Sequence, residues 1–291
     1  MSALFFLASY PRSGNTFLRV LLANYLNDGP GPVRLADLPQ LVRGEHIEGL
    51  WRELTGAPPE LRSLEQEWSA RERYFDRLRA TSASAPVFVK THTVNGVIGG
   101  VAAFDLNLYD RAIYVLRHPC DVAVSWADFY GKSLDEAIDN LLTPGRCIHG
   151  APDHGFEVTG SWGQHVSSWV DEPAFPPLVL RYQDLCVQPA HQLARVVDFL
   201  GLKLAPERLA RAAVFSRFDR LRDEEAQHGF VETSPLATSQ RFFREGRSGQ
   251  WSQSMSSAQA SRLYEAYGPL IERFRLDETI SEEMREILAG V

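Results

Sequence analysis

Tyr10-Pro11-Arg12-Ser13-Gly14-Asn15-Thr16-Phe17 brings together the parts of an anion cradle. Arg12 carries a charge that cannot be lost, Ser13, Asn15 and Thr16 offer short polar side chains, and Gly14 admits a close backbone approach. The apolar run Leu4 to Ala8 before it reads as a buried strand, and Leu18, Leu21, Leu22 and Tyr25 after it recur at helical spacing. A loop that enters a helix in this way aims backbone N–H groups and the positive end of the helix dipole at one spot. The ligand this suits is a phosphate or a sulfate ester. Most strand–turn–helix connections bind nothing, so the loop alone leaves a purely structural role open. The ATP-type pattern G-x-x-x-x-G-K-[ST] is absent.

Other chemistry-bearing groups recur at the ends of apolar runs. Pro86 to Val89 leads into Lys90-Thr91-His92, Ala112 to Leu116 leads into Arg117-His118-Pro119, and Leu178 to Leu180 leads into Arg181-Tyr182. Read as strands alternating with helices, these runs imply an α/β fold with a central parallel sheet flanked by helices. In such folds the ligand sits beyond the carboxyl ends of the strands, where Arg12, Lys90, His92, Arg117 and Tyr182 all fall. Asp121 is placed to cap a helix containing Val124, Ser125 and Phe129, and Gln192 to Leu200 reads as an amphipathic helix stopped by Gly201. Residues 27–40 read as loop, and 45–80 as helix broken at Pro58-Pro59.

The 291 residues suggest one large domain or two small ones, the motif order favouring one over 1–291, and the 44% hydrophobic share suits an ordinary soluble globule. The formal net charge of −7 argues against general binding to nucleic acid or anionic membranes, though it leaves room for a local basic cleft. Cys120, Cys147 and Cys186 are too few, and odd in number, for a disulfide scaffold, and none has metal-ligand spacing. No apolar stretch reaches membrane-spanning length and no secretory leader is evident, so the expected location is cytoplasmic.

With these residues in view, the chain resembles the sulfotransferases that use PAPS, 3′-phosphoadenosine-5′-phosphosulfate, as a bacterial member of the cytosolic type. The likeness runs from about Phe5 to Trp251 with the motifs in family order. Residues 10–17 resemble the 5′-phosphosulfate loop Y-P-K-S-G-T-T-W, and Lys90-Thr91-His92 the K-T-H strand end. Arg117 to Ser125 resembles R-N-P-x-D-V-x-V-S, Gly160-Ser161-Trp162 with His165 resembles G-S-W-x-x-H-V, and Arg181 to Leu185 resembles R-Y-E-D-L. Phe242 to Trp251 resembles the late loop R-K-G-x-x-G-D-W. The chain departs from the pattern at Arg12 for Lys, Phe17 for Trp, Glu245 for Lys and Gln250 for Asp.

The resemblance implies a P-loop-like nucleotide-binding architecture and a catalytic set of His92, Arg12 and Lys90, with His92 as general base. It implies donor contacts from Arg12, Ser13, Gly14, Asn15, Thr16 and Phe17 at one end. Arg117, Ser125, Arg244, Glu245 and Gly246 would hold the 3′-phosphate, and Tyr182 and Phe218 the adenine, although both aromatics read equally as core. PAPS would be the co-substrate, its product would be 3′-phosphoadenosine-5′-phosphate (PAP), and no metal is called for, since no carboxylate pair lies beside the loop in sequence. The acceptor would be a small-molecule hydroxyl, with an amine as the secondary option. Trp51, Trp68, Phe129, Tyr130 and Phe156 are candidates for its apolar wall or for ordinary core, and 143–160 for a gate. The polar segment from Glu224 to Trp251 reads as a lid that orders over nucleotide. His118 and His165 read as organisers of the fold or pocket wall, and His46, His149, His154 and His228 as structural. The rival readings are a P-loop-type kinase, which needs a Lys-Ser/Thr pair and an acidic metal ligand, and a non-catalytic nucleotide-binding module. Oligomeric state is not legible.

Overall fold

A computed structural model describes residues 2–58, 61–82, 85–98, 100–104, 109–148 and 157–279. The strands are β1 (Leu4–Ala8), β2 (Arg43–Gly44), β3 (Val87–Thr91), β4 (Val97–Ile98), β5 (Val101–Ala102), β6 (Arg111–Leu116), β7 (Cys147–Ile148), β8 (Glu157–Val158) and β9 (Leu178–Arg181). Five of them form a parallel central sheet in the order β2-β3-β1-β6-β9, and β4-β5 and β7-β8 are small antiparallel hairpins. β1 lies in the middle and is buried along its whole length, which is why its sequence is a continuous apolar run. Its register on β3 pairs Leu7 with Lys90 and Ala8 with Thr91, and its register on β6 pairs Ala8 with Tyr114.

The chain divides into two compact units. The first comprises residues 1–10, 39–114 and 143–179. Its core is aromatic: Phe6 meets Phe75, Phe104, Tyr109 and Trp169 with ring centroids 4.7–6.2 Å apart. The helix Leu64–Ala80 covers it, started by a capping box in which Ser63 accepts from the Gln66 N–H.

The second unit comprises residues 11–38, 115–142 and 180–291. It contains the helices Asn15–Leu26, Pro119–Tyr130, Pro189–Phe199, Pro206–Phe215, Phe218–His228 and Ser257–Arg273. Val20, Ala23, Leu35, Leu38, Leu221, Phe230 and Phe243 form one of its apolar clusters.

Three local expectations change. Residues 27–40 are not all loop: a 3-10 turn (Leu35–Asp37) and a short helix (Leu38–Leu41) bury Leu35 and Leu38 in that cluster, a gain that outweighs the loop-like composition. Tyr182 does not end the fourth strand but opens the helix Tyr182–Val187. Asp121 is not a cap. The helix begins earlier, at Pro119, and the imidazole of His118 caps it by accepting from the Cys120 N–H at 3.2 Å. Asp121, fully buried in the first turn, instead accepts from Ser248 Oγ (3.1 Å), Gly249 N (2.7 Å) and Trp251 N (3.1 Å).

Replacing one carboxylate oxygen with an amide at that point sets N–H against N–H. Asp121→Asn should cost about 1–3 kcal/mol of stability. Equilibrium urea unfolding measures this, and an unchanged midpoint would show that the late loop is anchored elsewhere.

Candidate active site

In the second unit, the polypeptide leaving β1 turns through residues whose backbone is held in the left-handed region. Arg12 has φ 67° and Gly14, which precedes the helix Asn15–Leu26, has φ 103°. An L-residue spends of order 1–2 kcal/mol to hold such a conformation, so a surrounding structure must enforce it. A Cβ added to Gly14 would lie 2.4 Å from the Tyr182 ring, so only glycine fits there. Ser13 Oγ is buried in the turn with no hydrogen-bond partner among the described residues, an orphan polar atom of the kind an anion satisfies.

Two of the predicted cations, Arg12 and Arg117, meet at this turn. Arg117 Nη1 donates to the Arg12 carbonyl at 3.0 Å, and Arg12 Nε donates to Ser125 Oγ at 3.2 Å. The Arg12 guanidinium carbon lies 4.2 Å from the Phe129 ring centre and 4.5 Å from that of Phe242. That of Arg117 lies 4.4 Å from the Tyr182 ring centre. Burial, and then the neighbouring charge of Arg117, lowers the Arg12 pKa to about 10. Two adjacent guanidinium groups with a buried orphan hydroxyl suit a polyanion such as the ends of PAPS.

The late loop closes against the same group of residues. Arg117 Nη2 donates to the Arg247 carbonyl at 3.4 Å, and Arg244 donates to Gln250, the residue that departs from the family pattern. Glu245 pairs with Arg247 at 2.8 Å, and that hydrogen bond holds its carboxyl below the usual range. Gly246, at φ 65°, lets the Phe218 ring approach to within 2.2 Å of where a Cβ would stand. Four carboxylates tie the segment down. Besides Asp121, Asp128 accepts from Ser239 N and Oγ, Glu225 from Phe242 N, Phe243 N and Thr233 Oγ1, and Glu232 from Thr16 Oγ1 (3.1 Å) and Arg19 Nη1 (2.6 Å). The sequence reading placed no carboxylate pair beside the first loop. The structure brings Glu232 to Thr16 from far along the chain and engages the Thr16 hydroxyl.

The first unit carries Lys90-Thr91-His92 at the end of β3. The Ser9 carbonyl lies 2.6 Å from His92 Nδ1. A carbonyl only accepts, so Nδ1 carries the proton and Nε2 holds the basic lone pair. The His92 carbonyl accepts from His165 Nε2 at 3.0 Å, and His165 Nδ1 accepts from the Tyr114 hydroxyl at 2.9 Å. The His92 N–H donates to Glu45 Oε1 at 3.3 Å. Glu157 lies near Lys90: burial, then the charge of Glu45, pushes its carboxyl up to about 7 against the pull of Lys90, Arg146 and Arg71.

The sulfotransferase domain family model matches residues 3–282 of this chain. The chain belongs to the sulfotransferase family. Sulfotransferase 2A6 of Rattus norvegicus is 29% identical over 153 residues, 52% of this chain and 52% of the rat protein. The chain thus spans about half the length of the first such curated relatives. Sulfotransferase 1A1 of the same animal is 23% identical over 271 residues, 88% of this chain and 80% of that protein. The fold is shared with mouse sulfotransferase SULT7A1 complexed with PAP (TM-score 0.59, 19% identity, 93% of this chain and 85% of that one). It is also shared with retinol dehydratase in complex with androsterone and PAP (TM-score 0.61, 21% identity, 92% and 80%).

Within this member of the family the expected wall residues are divided between the two units. Trp51 and Trp68 are buried in the first unit's core, Trp51 stacked on Tyr74 with centroids 4.8 Å apart and Trp68 under Arg71. Phe129 and Tyr130 belong to the second unit, where Phe129 packs on Arg12. Phe156, His149 and His154 lie outside the described residues, as does the middle of the expected gate, 149–156. Phe17 packs against the Leu35–Phe243 cluster. Glu45 and Glu232 carry contacts that the motifs did not mark. Among the described residues no group of three or more His, Cys, Asp or Glu could hold a metal, and no helix is long and apolar enough to cross a membrane.

His165 makes the site sensitive to acid. Burial lowers its pKa from 6.5 to about 3. Between those values the unfolded chain binds a proton that the folded one does not, so stability falls as pH falls through this window. The slope should exceed that of a His165→Asn variant by up to about 1.4 kcal/mol per pH unit. Urea unfolding at stepped pH reads the difference, and parallel slopes would mean that the ring is already protonated in the fold.

Proposed function

We propose that residues 3–282 act as one functional domain that moves a sulfuryl group from PAPS to the hydroxyl of a small-molecule acceptor. The observation that carries this reading is the bonded pair Arg12–Arg117, with Ser125 and the late loop joined to it in one unit. Two neighbouring structures hold PAP and one holds androsterone, a ligand class consistent with the proposal.

PAPS, when bound, supplies an activated sulfuryl group whose sulfur–oxygen bond to phosphate breaks as the acceptor oxygen bonds to sulfur. Arg12, with the N–H groups and hydroxyls of residues 13–16, would hold the phosphosulfate end and offset the charge that grows on the departing phosphate. Arg117, Ser125, Arg244 and the backbone of Glu245 and Gly246 would grip the 3′-phosphate and so discriminate against ATP. Tyr182 and Phe218, each fixed by contact with a glycine, would flank the adenine. His92 Nε2 would take the acceptor's proton, and Lys90 would neutralise the sulfuryl oxygens. An in-line displacement needs no further group from the protein. Arg12 in place of lysine would favour bidentate anion binding over proton donation. The expected location is cytoplasmic.

His92→Ala should lower kcat by about two to four orders of magnitude and leave PAP affinity intact. Arg117→Ala should weaken PAP binding by about 1.5–3 kcal/mol. Calorimetric titration with PAP and a mass-spectrometric screen of hydroxylated compounds with PAPS provide both readouts. Unimpaired sulfation by the His92 variant would remove the base, and magnesium-dependent ATP turnover would revive the kinase reading.

A further inference from the structure

Glu45 belongs to none of the recognised motifs, yet it is the hub around His92. It follows the two-residue strand β2, whose register sets Gly44 beside Lys90, and its own N–H donates to the Lys90 carbonyl at 3.2 Å. The ladder thus delivers Glu45 to the level of the Lys90-Thr91-His92 triplet. One carboxylate oxygen accepts from the His92 N–H (3.3 Å) and from Thr93 Oγ1 (3.1 Å). The other accepts from Arg71 Nη1 at 3.2 Å, with both side chains at most 10% exposed. Arg71 in turn lies over Trp68 (4.3 Å) and Phe104 (5.0 Å), rings embedded in the core. The line from core to imidazole is continuous: aromatic rings fix Arg71, Arg71 fixes Glu45, and Glu45 fixes the main chain of His92.

We propose that Glu45 is a positioning residue for the sulfuryl-transfer base, acting with Arg71 to hold the backbone from which the His92 ring projects. This rests on the reading of His92 given above. The ring itself is oriented by the Ser9 carbonyl and the far side of the backbone by His165, so Glu45 supplies the third restraint. Without it the His92 N–H and Thr93 hydroxyl lose their common acceptor, and the ring gains freedom at the atom that must meet a proton. A displacement of about 1 Å at a reacting group is worth up to a hundredfold in rate.

Glu45→Ala should therefore lower kcat for transfer from PAPS to 2-naphthol by about tenfold to a hundredfold, with PAP affinity changed less than about twofold. Glu45→Gln, which retains an acceptor oxygen of the same reach, should recover most of the loss. Because Glu45→Ala strands the Arg71 charge, the double variant Glu45→Ala with Arg71→Met provides a neutral core and should show the same kcat deficit. Side-chain NMR signals of isotope-labelled His92 should shift in both Ala variants and not in Glu45→Gln, a readout that needs no turnover. Unchanged kcat, or equal losses in kcat and PAP affinity, or an unmoved His92 signal would overturn the role of Glu45. Absence of transfer by the wild-type protein, with the His92 signal still moved, would instead count against the sulfuryl-transfer reading.

Discussion

The register of β1 on β3 is the constraint on which the first unit's chemistry depends. Ala8 pairs with Thr91, and Ser9 N donates to the Thr91 carbonyl at 3.3 Å as one more rung. That alignment brings the Ser9 carbonyl to His92 Nδ1 and so sets the tautomer of the ring. A slip of β1 by one residue would reverse every side chain on that strand, sending Phe6 out of its aromatic nest and carrying the Ser9 carbonyl away from His92 Nδ1. The apolar burial of β1 makes such a slip costly, so the hydrophobic core and the imidazole are fixed by the same interaction.

The second unit solves a different problem, which is how to keep two guanidinium groups together. Their mutual repulsion and burial are visible in the lowered pKa of Arg12. The opposing contributions come from Tyr130, then Asp128 and Glu232, with the faces of Phe129 and Phe242 packed on the cation. None of these is a direct ion pair with Arg12 among the described contacts. The cation is thereby stabilised without being neutralised by its own protein, which is the condition an anion-binding arginine must meet. The left-handed backbone at Arg12 and the missing side chain at Gly14 are the steric counterpart of the same arrangement.

Much of this was legible in the chain. Strand β1, the helix carrying Leu18 to Tyr25, the strand ends at Thr91 and Leu116 and the stop at Gly201 follow from apolar runs and glycine placement, which are local signals. Of the motif residues, Arg12, Arg117 and Ser125 are joined by hydrogen bonds and Arg117 reaches the late loop at Arg247, while Arg244 meets Gln250. What escaped notice was carried by long-range geometry. Glu45 and Glu232 are ordinary charged residues in polar stretches, and only the sheet register and the path of the late loop reveal their partners. Asp121 misled because a carboxylate near a helix start usually caps it. Here His118 takes that role and frees the carboxylate for the loop. For Trp51 and Trp68 the sequence leaves wall and core both open, and in the fold Arg71 covers Trp68 and Tyr74 covers Trp51 inside the core.

The helix Pro119–Tyr130 carries Asp121, Ser125, Asp128 and Phe129 at spacings of three and four, so one face of one rod serves both Arg12 and the late loop. Its two aspartates grip the loop at Ser239 and again at Ser248 and Gly249. Both ends of the stretch between those grips are therefore held on one helix face about two turns, roughly 10 Å, apart, a distance the intervening residues cover with slack. Insertions or deletions within it leave either post in place, at little entropic cost. The size of the loop is thus free to vary along with its chemistry.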